Sequence, residues 1–177
     1  VDVIFRRLDD DFCDPLELRP DSFLGVPGLT HAVRCGTVAV ANALGSSVLE
    51  SRALAAYLPA LCRTLLGEEL RLPSVPTWWC GDADARRYVL DHLAELVVKE
   101  VHGAGGYGML VGPTSSRDEI ERFRRVLEAN PNNYIAQPTL SLSSCPTFVE
   151  EGVAPRHIDL RPFVLVGRDV RIVPGGL

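Results

Sequence analysis

One lysine, Lys99, stands among 18 basic residues, in the stretch VVKEVHGAGGYGMLVG over 97–112. Gly103, Gly105, Gly106 and Gly108 follow it closely. Glycines let backbone N–H groups approach phosphate oxygens and take positive φ without a Cβ penalty. Walker A and Rossmann loops open a helix, whereas Met109-Leu110-Val111 after this loop reads as a strand. A kinase glycine loop precedes its lysine and travels with H-R-D and D-F-G, which do not occur here. Lys99 at the end of a strand would aim a compact ammonium at phosphates covered by the loop, a task arginine's planar fork does not share. The alternative is a β-hairpin with a glycine-rich turn and a surface lysine.

Two further groups carry chemistry. In RHIDLRPFV, strand alternation would place His157, Asp159 and Arg161 on one face. Asp159 and Arg161 could then serve a metal ion and a phosphate, or form a solvent-facing ion pair. In RRLDDDFCDP, the carboxylates of Asp9, Asp10, Asp11 and Asp14 could hold Mg²⁺ or a substrate amine, or simply line a solvated loop. Nucleophilic catalysis has no support: Ser46-Ser47 and Ser143-Ser144 lie outside any G-x-S-x-G, and His31, His92, His102 and His157 lack ligand spacing.

The elements that must position these residues are short. Val1, Val3 and Phe5 alternate as a half-buried strand, a short helix is expected over Leu29–Cys35, and TVAVAN reads as a buried strand. From Val48 a helix is expected, broken or kinked at Pro59 and followed by a second short one. The prolines of LRLPSVP mark a lobe boundary near 73, dividing a segment 1–73 from 74–177. DADARRYVLDHLAEL is a helix with Asp82 or Asp84 near its start, and LVVKEV and MLVG are strands around the glycine loop. Ser116 and Glu119 form a capping box for a helix with Ile120, Phe123 and Leu127 on one face, ending at Asn130-Pro131. YIAQP, LSLS, RHIDLRPFVLVG and VRIV follow as strands, the last two joined through Gly167-Arg168-Asp169, with Pro162 limiting pairing in its strand. This order is mixed α+β and not a regular parallel βαβ series.

Composition bounds the rest. A chain of 177 residues, 46% hydrophobic and 23% charged, is long enough for one sizeable core or two packed lobes. A net charge of −5 gives no footprint for nucleic acid. No apolar run approaches the roughly 20 residues of a membrane helix, and no signal segment opens the chain, so a cytoplasmic protein is expected. The five cysteines include no C-x-x-C pair and read as free thiols in a reducing compartment. The start at Val1 and the end at PGGL suggest part of a longer polypeptide.

Taken together, RRLDDDFCDPLELRPDSFLGVPGL, GTVAVANALG, VPTWWCGD, VVKEVHGAGGYGMLVGP, YIAQPTLSLSSCPT and APRHIDLRPFVL resemble the circularly permuted ATP-grasp proteins, related to glutathionylspermidine-synthase-like ligases. The resemblance runs in order from Val1 to Leu177. It implies an ATP-grasp fold with ATP held between two α+β lobes and Mg²⁺ bridging its phosphates. Such enzymes phosphorylate a carboxylate and couple the acyl phosphate to an amine.

By matching motif, Lys99 resembles the strand lysine that contacts ATP phosphates, and Gly103, Gly105, Gly106 and Gly108 the loop that closes over them. Gln137 falls where the inter-lobe strand passes the adenine. Arg161 resembles the arginine facing the transferred phosphoryl group, and Asp159 a metal or orienting residue. The family usually adds a Glu and an Asn as metal ligands after the arginine strand. Here the ligands would come either from Asp9, Asp10, Asp11 and Asp14 or from sequence outside this chain. The reading implied is an ATP-dependent carboxylate-amine ligase domain with small-molecule or peptide substrates. A non-catalytic ATP-binding or interaction module of the same fold, and a metal phosphohydrolase built on the aspartates, are the alternatives.

Overall fold

A computed structural model of the chain describes residues 1–103 and 108–176. Gly105 and Gly106 lie outside the described residues. The chain divides into two compact units, Val1–Pro138 and Thr139–Leu177. The boundary expected near residue 73 falls inside the first.

The first unit opens with β1 (Val3–Phe5), which pairs in parallel with β2 (Ala39–Ala41) across helix α1 (Leu29–Arg34). Arg6 ties this pair to the turn after it: its Nε donates to the Asn42 carbonyl at 2.7 Å and Nη2 to Ser46 Oγ at 2.9 Å. The first helix expected from Val48 is instead two 3-10 turns, Ser46–Glu50 and Arg52–Ala56, and the second, short one is formed as α2 (Leu58–Leu66). Pro59 sits in the first turn of α2. There its missing N–H would have had no intrahelical partner anyway, so it starts a helix where a mid-helix break was expected.

The rest of this unit is a helix-backed sheet. Four antiparallel strands run in the order β3 (Trp78–Trp79), β6 (Tyr134–Pro138), β4 (Leu96–Glu100) and β5 (Leu110–Val111). Helix α3 (Ala83–Asp91) is capped by Asp82, whose carboxylate accepts from the Asp84 and Ala85 N–H groups at 3.1 and 2.8 Å. Helix α4 (Arg117–Ala129) carries the expected capping box: Ser116 Oγ accepts from Glu119 N at 3.3 Å, and Glu119 Oε2 from Ser116 N at 2.8 Å. Both helices cover one sheet face. Val89, Leu93 and Leu127 meet Leu96, Val98, Leu110, Tyr134 and Ala136 there in the core, flanked by Ile120 and Phe123.

Strand alternation then dictates what the other face carries. With Leu96 and Val98 turned to the helices, Val97 and Lys99 face away, and so do their cross-strand partners Gln137 and Ile135. Ile135 is nonetheless buried, since the Arg52–Ala56 turn packs against β6 and β3.

The second unit consists of two antiparallel hairpins, β7 (Ser144–Val149) with β8 (Gly152–His157), and β9 (Pro162–Val166) with β10 (Val170–Gly176). The LSLS segment expected as a strand lies before β7, outside any strand. The continuous strand expected through RHIDLRPFVLVG is broken between His157 and Pro162. Proline cannot donate to a ladder and restricts the residue before it, so Pro162 opens a strand and does not continue one.

Candidate functional site

Lys99 sits half-buried on the face of β4 that the helices leave uncovered. Its Nζ donates to Gln137 Oε1 at 3.1 Å. Gln137 Nε2 in turn donates to Thr77 Oγ1 at 3.0 Å, and the Thr77 hydroxyl donates to the Val75 carbonyl at 2.9 Å. Gln137 lies opposite Val97, two positions before Lys99. The ammonium therefore leans back along β4, away from the strand end that leads into the glycine loop.

The two described glycines of the loop frame a different side chain. A Cβ on Gly108, whose φ is +66°, would come within 2.7 Å of the Glu100 carboxyl carbon and Oε1. One on Gly103 would lie 3.0 Å from Glu100 Oε2 and 3.5 Å from Arg52 Nη1. The Glu100 carboxylate thus occupies the space between the loop's two ends, and a side chain at Gly108 would have to displace it. Arg52 fastens the loop's root: its Nη1 donates to the Glu100 carbonyl at 2.6 Å and its backbone N to the Val101 carbonyl at 3.2 Å.

A cleft of about 590 Å³ runs from this root to the acidic turn, lined by His102, Gly103, Arg52, Glu50, Ser47 and Asp9 to Asp11. The four aspartates divide into two kinds. Asp14 is fully buried and accepts from Thr30 Oγ1, Thr30 N (2.9 Å), Leu16 N (3.0 Å) and Gly28 N (3.1 Å). The Thr30 hydroxyl, against the opposing effect of burial and with the backbone N–H groups adding to it, holds the Asp14 carboxyl far below the usual carboxylate range. Asp10 is buried too. Burial pushes its carboxyl up, but hydrogen bonds from Ser47 and Gly45 and the Arg6 guanidinium at 2.7 Å outweigh this and hold it low. Both carboxylates are committed to folding the N-terminal turns, while Asp9 and Asp11 remain exposed on the cleft. Among the described residues, no group of three or more His, Cys, Asp or Glu side chains is arranged to hold a metal ion.

In the second unit Arg161 Nε donates to Asp159 Oδ2 at 3.1 Å, with both side chains exposed. They lie on the connection between β8 and β9, and His157 ends β8, so the shared strand face expected for the three residues is not formed. The cysteines are free, and burial pushes the Cys80 thiol up to about 12, leaving it protonated and inert near neutrality.

Three residues of this region escaped sequence reasoning. Thr77 and Arg52 lie far from Lys99 along the chain: sheet pairing brings Thr77 to Gln137, and the packed turn brings Arg52 to the Glu100 carbonyl. Glu100 is adjacent to Lys99, yet its place between Gly103 and Gly108 follows from the loop's return to β5. No local pattern marks any of them.

The helix-backed antiparallel sheet of the first unit and the hairpins of the second give the chain a mixed α+β make-up. The sequence family described as circularly permuted ATP-grasp type 2 matches residues 1–177, and the chain belongs to it. It is 52% identical over 178 residues to an uncharacterized protein of Synechocystis sp. and 44% identical over 178 residues to one of Mycobacterium tuberculosis. It is also 40% identical over 177 residues to a Frankia casuarinae protein named "Putative glutamate--cysteine ligase 2-2". Each match covers 100% of this chain but 37%, 32% and 20% of the respective relative, so the chain spans about a third or less of their length.

Proposed function

We propose that this chain carries part of the ATP site of an ATP-dependent ligase that joins a carboxylate to an amine. The observation that carries the reading is Lys99. The chain's one lysine stands on the open face of β4 in a polar group with Gln137 and Thr77, directly before a loop whose Gly108 takes a positive φ and would crowd Glu100 if it bore a side chain. Family membership supports ATP as the nucleotide, and the ligase name of the Frankia relative supports the reaction class.

In this reading the Lys99 ammonium contacts the phosphates, and backbone N–H groups of Gly103, Gly105, Gly106 and Gly108 lie over them. Gln137, on the strand beside it, passes the adenine. The family resemblance gives Arg161 the part of the arginine that faces the transferred phosphoryl group, with Asp159, its ion-pair partner, as the residue that orients the guanidinium. Phosphoryl transfer needs mainly positioning and charge neutralisation, which these groups supply. The carboxylate oxygen bonds to the γ-phosphorus as ADP leaves. The amine then attacks the acyl carbon of this acyl phosphate, losing a proton as phosphate departs. A loop closed over the phosphates would keep water from hydrolysing that intermediate.

The family implies Mg²⁺ with the nucleotide. The described residues do not gather a cation site, Asp159 being engaged with Arg161, so no step is assigned to the ion. The substrates fit a small-molecule or peptide carboxylate and amine handled in the cytoplasm, related in reaction type to the glutathionylspermidine-synthase-like ligases.

A thermal shift with Mg·ATP tests the reading. At 100 times its Kd the nucleotide should stabilise the wild type by about 2.7 kcal/mol, and Lys99→Ala should lose most of that gain. No response from either protein sinks the proposal. Binding without ADP release in the presence of carboxylates and amines would leave a non-catalytic nucleotide module.

A further inference from the structure

The hydrogen bonds around Lys99 run in one direction, and that direction is set at its far end. The Thr77 hydroxyl spends its only proton on the Val75 carbonyl at 2.9 Å, so toward Gln137 its oxygen can only accept. Only the Nε2 end of the Gln137 amide can satisfy it, at 3.0 Å. The Oε1 end is thereby turned to Lys99, whose ammonium, a donor with no acceptor capacity, it receives at 3.1 Å. Turned the other way, the amide would set its NH₂ against the ammonium and its Oε1 against the lone pairs of the Thr77 hydroxyl.

We propose that Thr77 is a positioning residue for Lys99, acting through the orientation it imposes on Gln137. The consequence rests on the nucleotide role of Lys99: the ammonium is held on its Gln137 partner along β4, from where it must extend to reach phosphates. Thr77 sits on the segment entering β3, at the sheet edge next to β6, and so couples the aim of the lysine to the placement of that edge strand.

Because the chain has a single lysine, its reactivity can be read without ambiguity by peptide-resolved mass spectrometry on the full protein. Acylation by an N-hydroxysuccinimide acetate requires the nitrogen to leave Gln137 and meet the reagent. Thr77→Val and Gln137→Met should raise the Lys99 acylation rate about fivefold, the factor equivalent to about 1 kcal/mol for one hydrogen bond. Thr77→Ser should keep the wild-type rate, which a merely space-filling role for Thr77 would not require. If Thr77→Val does not fold, Thr77→Ala replaces it. Equal rates in wild type, the Thr77 variant and Gln137→Met overturn the proposal, as does an acceleration that Thr77→Ser shares. Calorimetry with Mg·ATP then reads the consequence: affinity falls in the Thr77 variant and returns with serine. Absence of ATP binding in the wild type would refute the nucleotide reading while leaving the acylation rates to decide the role of Thr77.

Discussion

Replacing Gly108 with alanine isolates the contact between the glycine loop and Glu100. Two costs add. At φ +66° an L-residue carries about 1 kcal/mol or more of backbone strain. The new Cβ would lie 2.7 Å from the Glu100 carboxyl carbon, closer than side chains tolerate, so Glu100 must leave its rotamer at about 0.5–1.5 kcal/mol. The sum is about 2–3 kcal/mol for Gly108→Ala. In a Glu100→Ala background the obstacle is gone and only the backbone strain remains, about 1–2 kcal/mol. The double-mutant cycle should therefore show a coupling of about 1 kcal/mol between the two positions. Equilibrium urea unfolding, followed by the fluorescence of Trp78 and Trp79, measures each corner of the cycle. Gly103→Ala, with its nearest Glu100 atoms at 3.0 Å and no positive φ, should cost less than Gly108→Ala. Additive effects, or a Gly103 variant as costly as the Gly108 one, would refute the placement of the carboxylate between the loop ends.

Other expectations concern the turns and caps that hold the site. Because the folded state depresses the Asp14 carboxyl, its contribution to stability is complete above about pH 5 and is lost as pH falls through the ordinary carboxylate range and below. Asp14→Asn should flatten the acid limb of a Tm-against-pH profile and lower Tm at neutral pH; an unchanged profile would remove Asp14 as the anchor of the Gly28–Thr30 turn. Ser116→Ala, which deletes the cap on α4, should cost about 1 kcal/mol in urea unfolding, and a loss under a few tenths would argue against the capping box.

Several elements were legible because their signals are local. The capping box needs only Ser116 and Glu119 at their spacing. The strand continuing after the glycine loop needs only the apolar run, and β5 forms there and pairs with β4. Mixed α+β order follows from the alternation of periods along the chain. Where reading by segment went astray, a proline decided otherwise: Pro59 opens α2 in place of breaking a helix, and Pro162 opens β9 in place of lying within a longer strand. Both outcomes depend on where the neighbouring hydrogen bonds go, which composition does not record.

By itself the sequence determined that one lysine would stand at the end of a strand before a glycine loop, since residue type and alternation are properties of the chain alone. Tertiary structure decided what those residues touch. Antiparallel pairing of β4 with β6 brings Gln137 beside Lys99, β3 delivers Thr77 to Gln137, and the packed Arg52–Ala56 turn fastens the loop's root. It also separated the aspartates into Asp10 and Asp14, consumed by backbone N–H groups, and Asp9 and Asp11, left on the cleft. The physical reason is the same throughout: a hydrogen bond's direction and a carboxylate's burial are set by partners distant along the chain, and only folding puts them in reach.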